Sequence, residues 1–128
     1  MDLHFDTHEL VGLVKSFEDA SGGPMVKDVE KVVFMGAMNI KRDAARRISG
    51  HPHFRGVPGS IDFDMYRSLR SPAAEIGPNH AKPQGNIAHI AENGSPTSAP
   101  MPFMTPAGEA EEPKFAKALE GLAAKALG

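Results

Sequence analysis

One long stripe of apolar residues restricts this chain more than any other feature. Val26, Val29, Val33, Ala37, Ile40, Ala44 and Ile48 recur at intervals of three and four. That spacing places side chains on one face of an α-helix. It predicts a single helix from about Met25 to Ile48, roughly 35 Å long at 1.5 Å per residue. Lys41, Arg42, Arg46 and Arg47 fall in its last turns, where cations suit the negative end of the helix dipole. Gly50 and Pro52 end it. A helix with one apolar face must bury that face against a second layer.

The period changes further on. Ile61, Phe63 and Met65 alternate with Asp62, Asp64 and Tyr66, as in a half-buried strand. Ala73 to Ile76 reads as a second strand closed by Gly77-Pro78, and the two pair as an antiparallel ribbon. Such a ribbon is marginal alone, so it packs on the long helix or joins a neighbour's sheet. Residues 50–60 and Gly77 to Gly85 read as loops. Ile87, Ile90 and Ala91 suggest a short helix ending at Asn93-Gly94. Residues 94–106 hold four prolines and no apolar period. From about Glu109 onward, Phe115, Leu119, Leu122 and Ala126 mark a C-terminal helix, with Glu109, Glu111 and Glu112 at its start.

Upstream, Leu10, Val14 and Phe17 give another helical stripe. Asp6 and Glu9 form a capping-box spacing before it, and Ser21-Gly22-Gly23-Pro24 stops it. The whole reads as one α+β domain over residues 1–128. A long N-terminal helix and a C-terminal helix pack on a small antiparallel sheet, with a proline-rich loop near 94–106.

The balance of 14 basic and 16 acidic residues, net −2, argues against a protein that grips nucleic acid by neutralising phosphates. It leaves room for a surface that DNA slides past. Cysteine is absent, which removes disulfides, thiolate metal sites and thiol nucleophiles. No apolar run reaches membrane-span length, and Met1 to Phe5 lack a signal-peptide pattern. Assembly in a cytoplasm is the expectation.

Candidate chemistry is sparse. His4 with His8, and His51 with His53, offer imidazoles at short spacing, but neither pair has a third ligand placed by sequence. Asp62 and Asp64 share one strand face. With His89 and Glu92 they are the best acid–base set, yet acidic residues on a wet strand face also discourage edge-to-edge association. Arg42, Arg46 and Arg47, with Lys41 and Arg55, are the best basic patch. Helix-end capping and salt bridges account for them more simply than DNA binding. The glycines at 56–59 and 77–85 lack the spacing of a phosphate loop. No metal and no cofactor is expected.

The second half carries an ordered set of motifs. They are Gly59-Ser60-Ile61 running through Leu69, Ala74-Glu75-Ile76-Gly77-Pro78, and Gln84 through Ile87-Ala88-His89-Ile90-Ala91-Glu92-Asn93-Gly94-Ser95. Ala99-Pro100-Met101-Pro102-Phe103-Met104-Thr105-Pro106-Ala107 follows, before a last amphipathic helix. This order resembles the neck or tail-completion protein family of long-tailed, non-contractile phages, closest to its actinobacteriophage branch. The resemblance spans about Val26 to Leu127. Gly59-Ser60-Ile61 stands where many members have a Thr-Gly-x-Leu run. Ala91 and Asn93 stand where many have bulkier residues beside the Glu.

The resemblance implies a structural, non-enzymatic subunit at the head–tail junction of a virion. Such subunits form rings of six or twelve copies, contact connector or head-closure proteins and tail proteins, and let DNA pass without specific binding. It carries no catalytic residues and implies no membrane. The alternatives are a tail terminator capping the tail tube, a small DNA- or host-protein-binding module and, last, an enzyme. Met101, Phe103 and Met104 on the proline-rich turn are candidate subunit-interface anchors or parts of the subunit's own core. Ile61 and Phe63 complete the interface set.

Overall fold

A computed structural model describes residues 3–6, 26–66 and 72–127. The expected helix over Leu10 to Phe17, its Gly-Gly-Pro stop and His8 lie outside them.

The stripe folds as expected. Helix α1 spans Val26–Ile48, and Val29, Val33, Ala37, Ile40, Ala44 and Ile48 are each fully buried. Enclosing a Val or Ile side chain contributes roughly 1.5–3 kcal/mol, so this one face supplies much of the driving force for folding.

The stripe packs on a three-stranded antiparallel sheet in the order β1-β3-β2. Its strands are β1 (Leu3–Asp6), β2 (Ile61–Tyr66) and β3 (Ala73–Pro78). The ribbon of β2 and β3 is the one read from alternation, with Phe63 opposite Ile76 and Asp64 opposite Glu75. Side chains on the inner face pack on α1: Ile61, Ala74 and Ile76 are fully buried, and Phe63 and Met65 partly so. Two features go beyond the sequence reading. Gly77 and Pro78 extend β3 rather than closing it, opposite Asp62 and Ile61. Strand β1 adds a third row, with Leu3 opposite Ile76 and Asp6 opposite Ala73.

The stretch read as a loop over 50–60 ends in one helical turn, α2 (Val57–Ser60). Pro58 sits in that first turn, where a missing N–H costs nothing. A 3₁₀ turn at Gly85–Ile87 leads into α3 (Ala88–Asn93). Gly94 ends α3 at a φ of 77°, its N–H donating to the Ile90 carbonyl, as the Asn-Gly pair predicted.

Helix α4 covers Met104–Leu127, starting five residues before the expected position. Pro106 is tolerated in its opening turn. Pro113 lies inside it on the exposed side and offers no N–H to the Glu109 carbonyl. Glu109, Glu111 and Glu112 therefore do not occupy the first turn, which holds no acidic residue. Helices α1 and α4 run in opposite directions. Gly36 meets the Phe115 ring, and Asn39 donates to Glu111 at 3.0 Å. A Cβ at position 36 would stand 3.2 Å from that ring, so glycine sets how closely the helices approach.

Candidate interaction surface

The residues expected to anchor an interface divide into two groups. Phe103, Met104 and Ile61 are completely enclosed by their own subunit. They belong to the core shared with Val57, Ala88, Ala91 and Ala107, so they are not surface anchors. Phe103 shares that core with the small Ala88 and Ala91 of α3. Phe63 is half-buried, its ring edge-on to Phe34 at 5.5 Å. Met101 alone of the proline-rich set remains open, at 38% exposure.

The reason lies in Glu92. Its carboxylate, only 6% exposed, accepts hydrogen bonds from the backbone amides of Phe103 (3.0 Å), Met104 (2.7 Å) and Thr105 (3.3 Å). The opening amides of a helix have no partner within it, and its N-terminus carries partial positive charge. A carboxylate from α3 therefore caps α4 and draws Phe103 and Met104 inward. Sequence reasoning had Glu92 only as a member of an acid–base set. Its cap is twelve residues distant from Met104, beyond the reach of a local capping pattern.

Asp62 and Asp64 share the outer sheet face, but their surroundings differ. Asp62 accepts from Asn79 Nδ2 and Lys82 Nζ, both at 3.0 Å, with Lys41 Nζ at 3.8 Å. The hydrogen bond from Asn79, then that from Lys82, then the charges of Lys82 and Lys41 hold its carboxyl below the usual carboxylate range. Partial burial opposes them. A carboxylate held this way is a strut between α1, β2 and the loop after β3, and a poor proton acceptor near neutral pH. Asp64 is exposed. Its neighbour Glu75 takes a hydrogen bond from the Tyr66 hydroxyl at 3.0 Å.

The basic patch is partly neutralised where it stands. Arg46 and Arg47 both pair with Asp43, the latter at 3.2 Å. Arg42 lies in the same shallow surface as Asn39, Glu111 and Lys114. The structure thus brings Arg42, Arg46 and Arg47 together, but with two acidic side chains among them. His51 and His53 are linked through the His53 N–H and His51 Nδ1 (3.2 Å), and the His51 ring packs on Phe54. His4 lies on β1, at the register position opposite Glu75. Among the described residues no three His, Cys, Asp or Glu side chains converge on a common point.

Gln84 enters the sequence reading only as the start of a motif, with no role assigned to its side chain. It adopts a left-handed conformation at φ 61°. Its side-chain oxygen accepts from the Gly56 amide at 2.6 Å, and its amide nitrogen donates to the His53 carbonyl at 3.1 Å. The 50s and 80s loops are thereby joined.

The apolar surface lies elsewhere. Phe34, Met35 and Tyr66 are 40%, 53% and 48% exposed. Phe34 and Met35 line a groove with Met65, rimmed by Glu30 and Lys31. It continues past Met35 to Gly36 and Phe115 between α1 and α4. Position 35 is on the outer side of α1, off the apolar stripe, so periodicity alone did not mark it. Among the described residues no helix is long and apolar enough to cross a membrane. No protein-family model, curated protein or solved structure matches this chain.

Proposed function

We propose that this chain is a structural, non-enzymatic virion protein of a long-tailed phage. It serves as a neck or tail-completion subunit that helps join the tail to the DNA-filled head. The observation that carries the reading is the bond between two of the motifs behind the resemblance. Glu92, in the segment Ile87 to Ser95, holds the amides of Phe103 and Met104, in the segment Ala99 to Ala107. Both motifs thus have structural work in the subunit, as a resemblance to a structural family requires.

In this reading copies assemble as a ring of six or twelve in the host cytoplasm and remain in the virion at the head–tail junction. They contact connector or head-closure proteins on one side and tail proteins on the other. The sharing of Asp43 by Arg46 and Arg47 halves the positive charge of that pair, which supports a surface that DNA passes without being gripped, because fewer free cations release fewer counterions from phosphate.

Electron microscopy of lysates from the parent phage, with this gene interrupted by a stop codon, tests the proposal. Filled heads beside separate tails of normal length are the expected result. Free tails of uncontrolled length would assign the chain to the tail terminator instead. Normal infectious particles would remove it from the junction altogether.

A further inference from the structure

The last turn of α3 is clamped from several sides. The Gly94 amide donates to the Ile90 carbonyl at 2.8 Å, and the Met101 amide donates to the Ala91 carbonyl at 2.6 Å. The Glu92 carboxylate takes the amides of Phe103 and Met104. The turn that follows folds back over Gly94. A Cβ there would stand 2.9 Å from both the Ser98 carbonyl oxygen and the Pro100 nitrogen. Asn93 lies in the middle of this clamp, yet its side chain is exposed and bonds to no other described residue.

Asparagine is a thermolabile residue, and a glycine after it has no side chain to shield the next amide or restrict its backbone. The nitrogen of that amide loses its proton and attacks the asparagine Cγ. A new C–N bond closes a five-membered succinimide, and the side-chain nitrogen leaves as ammonia with that proton. Water then opens the ring to aspartate or isoaspartate. Asn93 is the only one of the four asparagines that precedes glycine. Asn39 precedes Ile40 and donates to Glu111. Asn79 precedes His80 and is bonded through both ends of its side chain, to Asp62 and to the Ala81 amide. Asn86 precedes the β-branched Ile87.

We propose that Asn93 is a spontaneous deamidation site, which the clamp around α3 keeps shut in the folded subunit. The Gly94 N–H is engaged by the Ile90 carbonyl. Asn93 is the last residue of α3, and a five-membered ring through the backbone does not fit helical dihedrals. Ring closure therefore waits until the end of α3 opens. The reaction places a carboxylate at the negative end of α3, beside Glu92, where it is disfavoured. The isoaspartate form also adds a carbon to the backbone between Glu92 and the turn it holds. The inference stands apart from the virion role and holds for any role of the chain.

Peptide mapping by mass spectrometry follows conversion at each asparagine of the full-length chain, at one mildly alkaline pH, in buffer and in concentrated urea. In urea, Asn93 should convert at least about tenfold faster than Asn39, Asn79 and Asn86, because glycine alone leaves the attacking amide open. In buffer, Asn93 should convert at least about tenfold more slowly than in urea, since only the opened fraction reacts. Glu92→Ala, shown to be folded by circular dichroism, loosens the clamp and should convert faster than the parent in buffer. Glu92→Gln should fall between the two, and it carries the comparison if the alanine variant does not fold. No preference for Asn93 in urea would overturn the site. Equal rates for the parent in buffer and urea, or parent rates in every folded Glu92 variant, would overturn the clamp.

Discussion

The carboxylate of Glu92 lies 2.7 Å from the backbone nitrogen of Met104, and this contact starts the last helix. It joins two elements separated by a proline-rich turn, and it satisfies helix amides that no side chain within α4 reaches.

Removing that cap should be costly. Glu92→Ala leaves three amides without an acceptor, two of them buried, and should destabilise the protein by about 2–4 kcal/mol. Glu92→Gln keeps an acceptor oxygen but loses the charge facing the helix N-terminus, and should lose roughly half as much. Urea unfolding followed by circular dichroism measures both. Equal stability of Glu92→Ala and the parent would mean the cap contributes nothing.

Phe103 and Met101 are two residues apart and should respond in opposite ways. Phe103→Ala opens a cavity in the core and should cost about 3–5 kcal/mol. Met101→Ala should change monomer stability by less than about 0.5 kcal/mol, as an exposed site does. Thermal melts at low protein concentration, where copies do not associate, separate the two. A large loss for Met101→Ala would place that side chain in the core as well.

Two glycines make a second contrast. A Cβ at Gly85 would stand 1.8 Å from the Asn79 carbonyl oxygen, so Gly85→Ala must displace backbone and should cost at least about 2 kcal/mol. At Gly121, within α4, nothing lies within 4 Å of an added Cβ. Gly121→Ala should therefore stabilise by roughly 0.5–1 kcal/mol through helix propensity. Melting temperatures that move in the same direction for both would contradict the geometry.

The Asp62 strut makes part of the stability depend on pH. Its carboxyl titrates lower in the folded protein than its ordinary value of 3.8, so the folded state binds that proton less readily than the unfolded chain. The contribution is present above the unfolded value and is lost as pH falls through about 4 toward the folded value. Asp62→Asn should be less stable than the parent by roughly 0.5–1 kcal/mol at pH 7, the scale of a part-exposed ion pair. The gap should shrink at pH 3. A gap that stays constant between pH 7 and pH 3 would assign the effect to something other than charge.

Legibility in the sequence followed the length and repetition of each signal. The stripe of α1 repeats over six turns, and the alternation from Ile61 to Tyr66 is locally complete, so both were readable. Strand β1 has four residues, too few for a period, and its partner β3 lies about seventy positions away. The start of α4 was misplaced because Pro102 and Pro106 look like loop residues, while the cap that permits a helix there comes from α3. Of the site, Met101, Phe103 and Met104 were read alike, as interface anchors or core residues, because nothing local distinguishes them. Only the position of Glu92 does that. Met35 was missed because an exposed apolar residue off the buried stripe gives no periodic signal.

The distances along the chain over which these contacts close also order them in time. Glu92 reaches Met104 across twelve residues, whereas Leu3 meets Ile76 across more than seventy. Closing a longer loop costs more chain entropy before any contact repays it. The α3–turn–α4 unit can therefore form early, while β1 joins the sheet among the last events of folding. The same logic runs backward. The edge held by β1 is the first part of the sheet to open, and its amides should exchange with solvent ahead of those in β3.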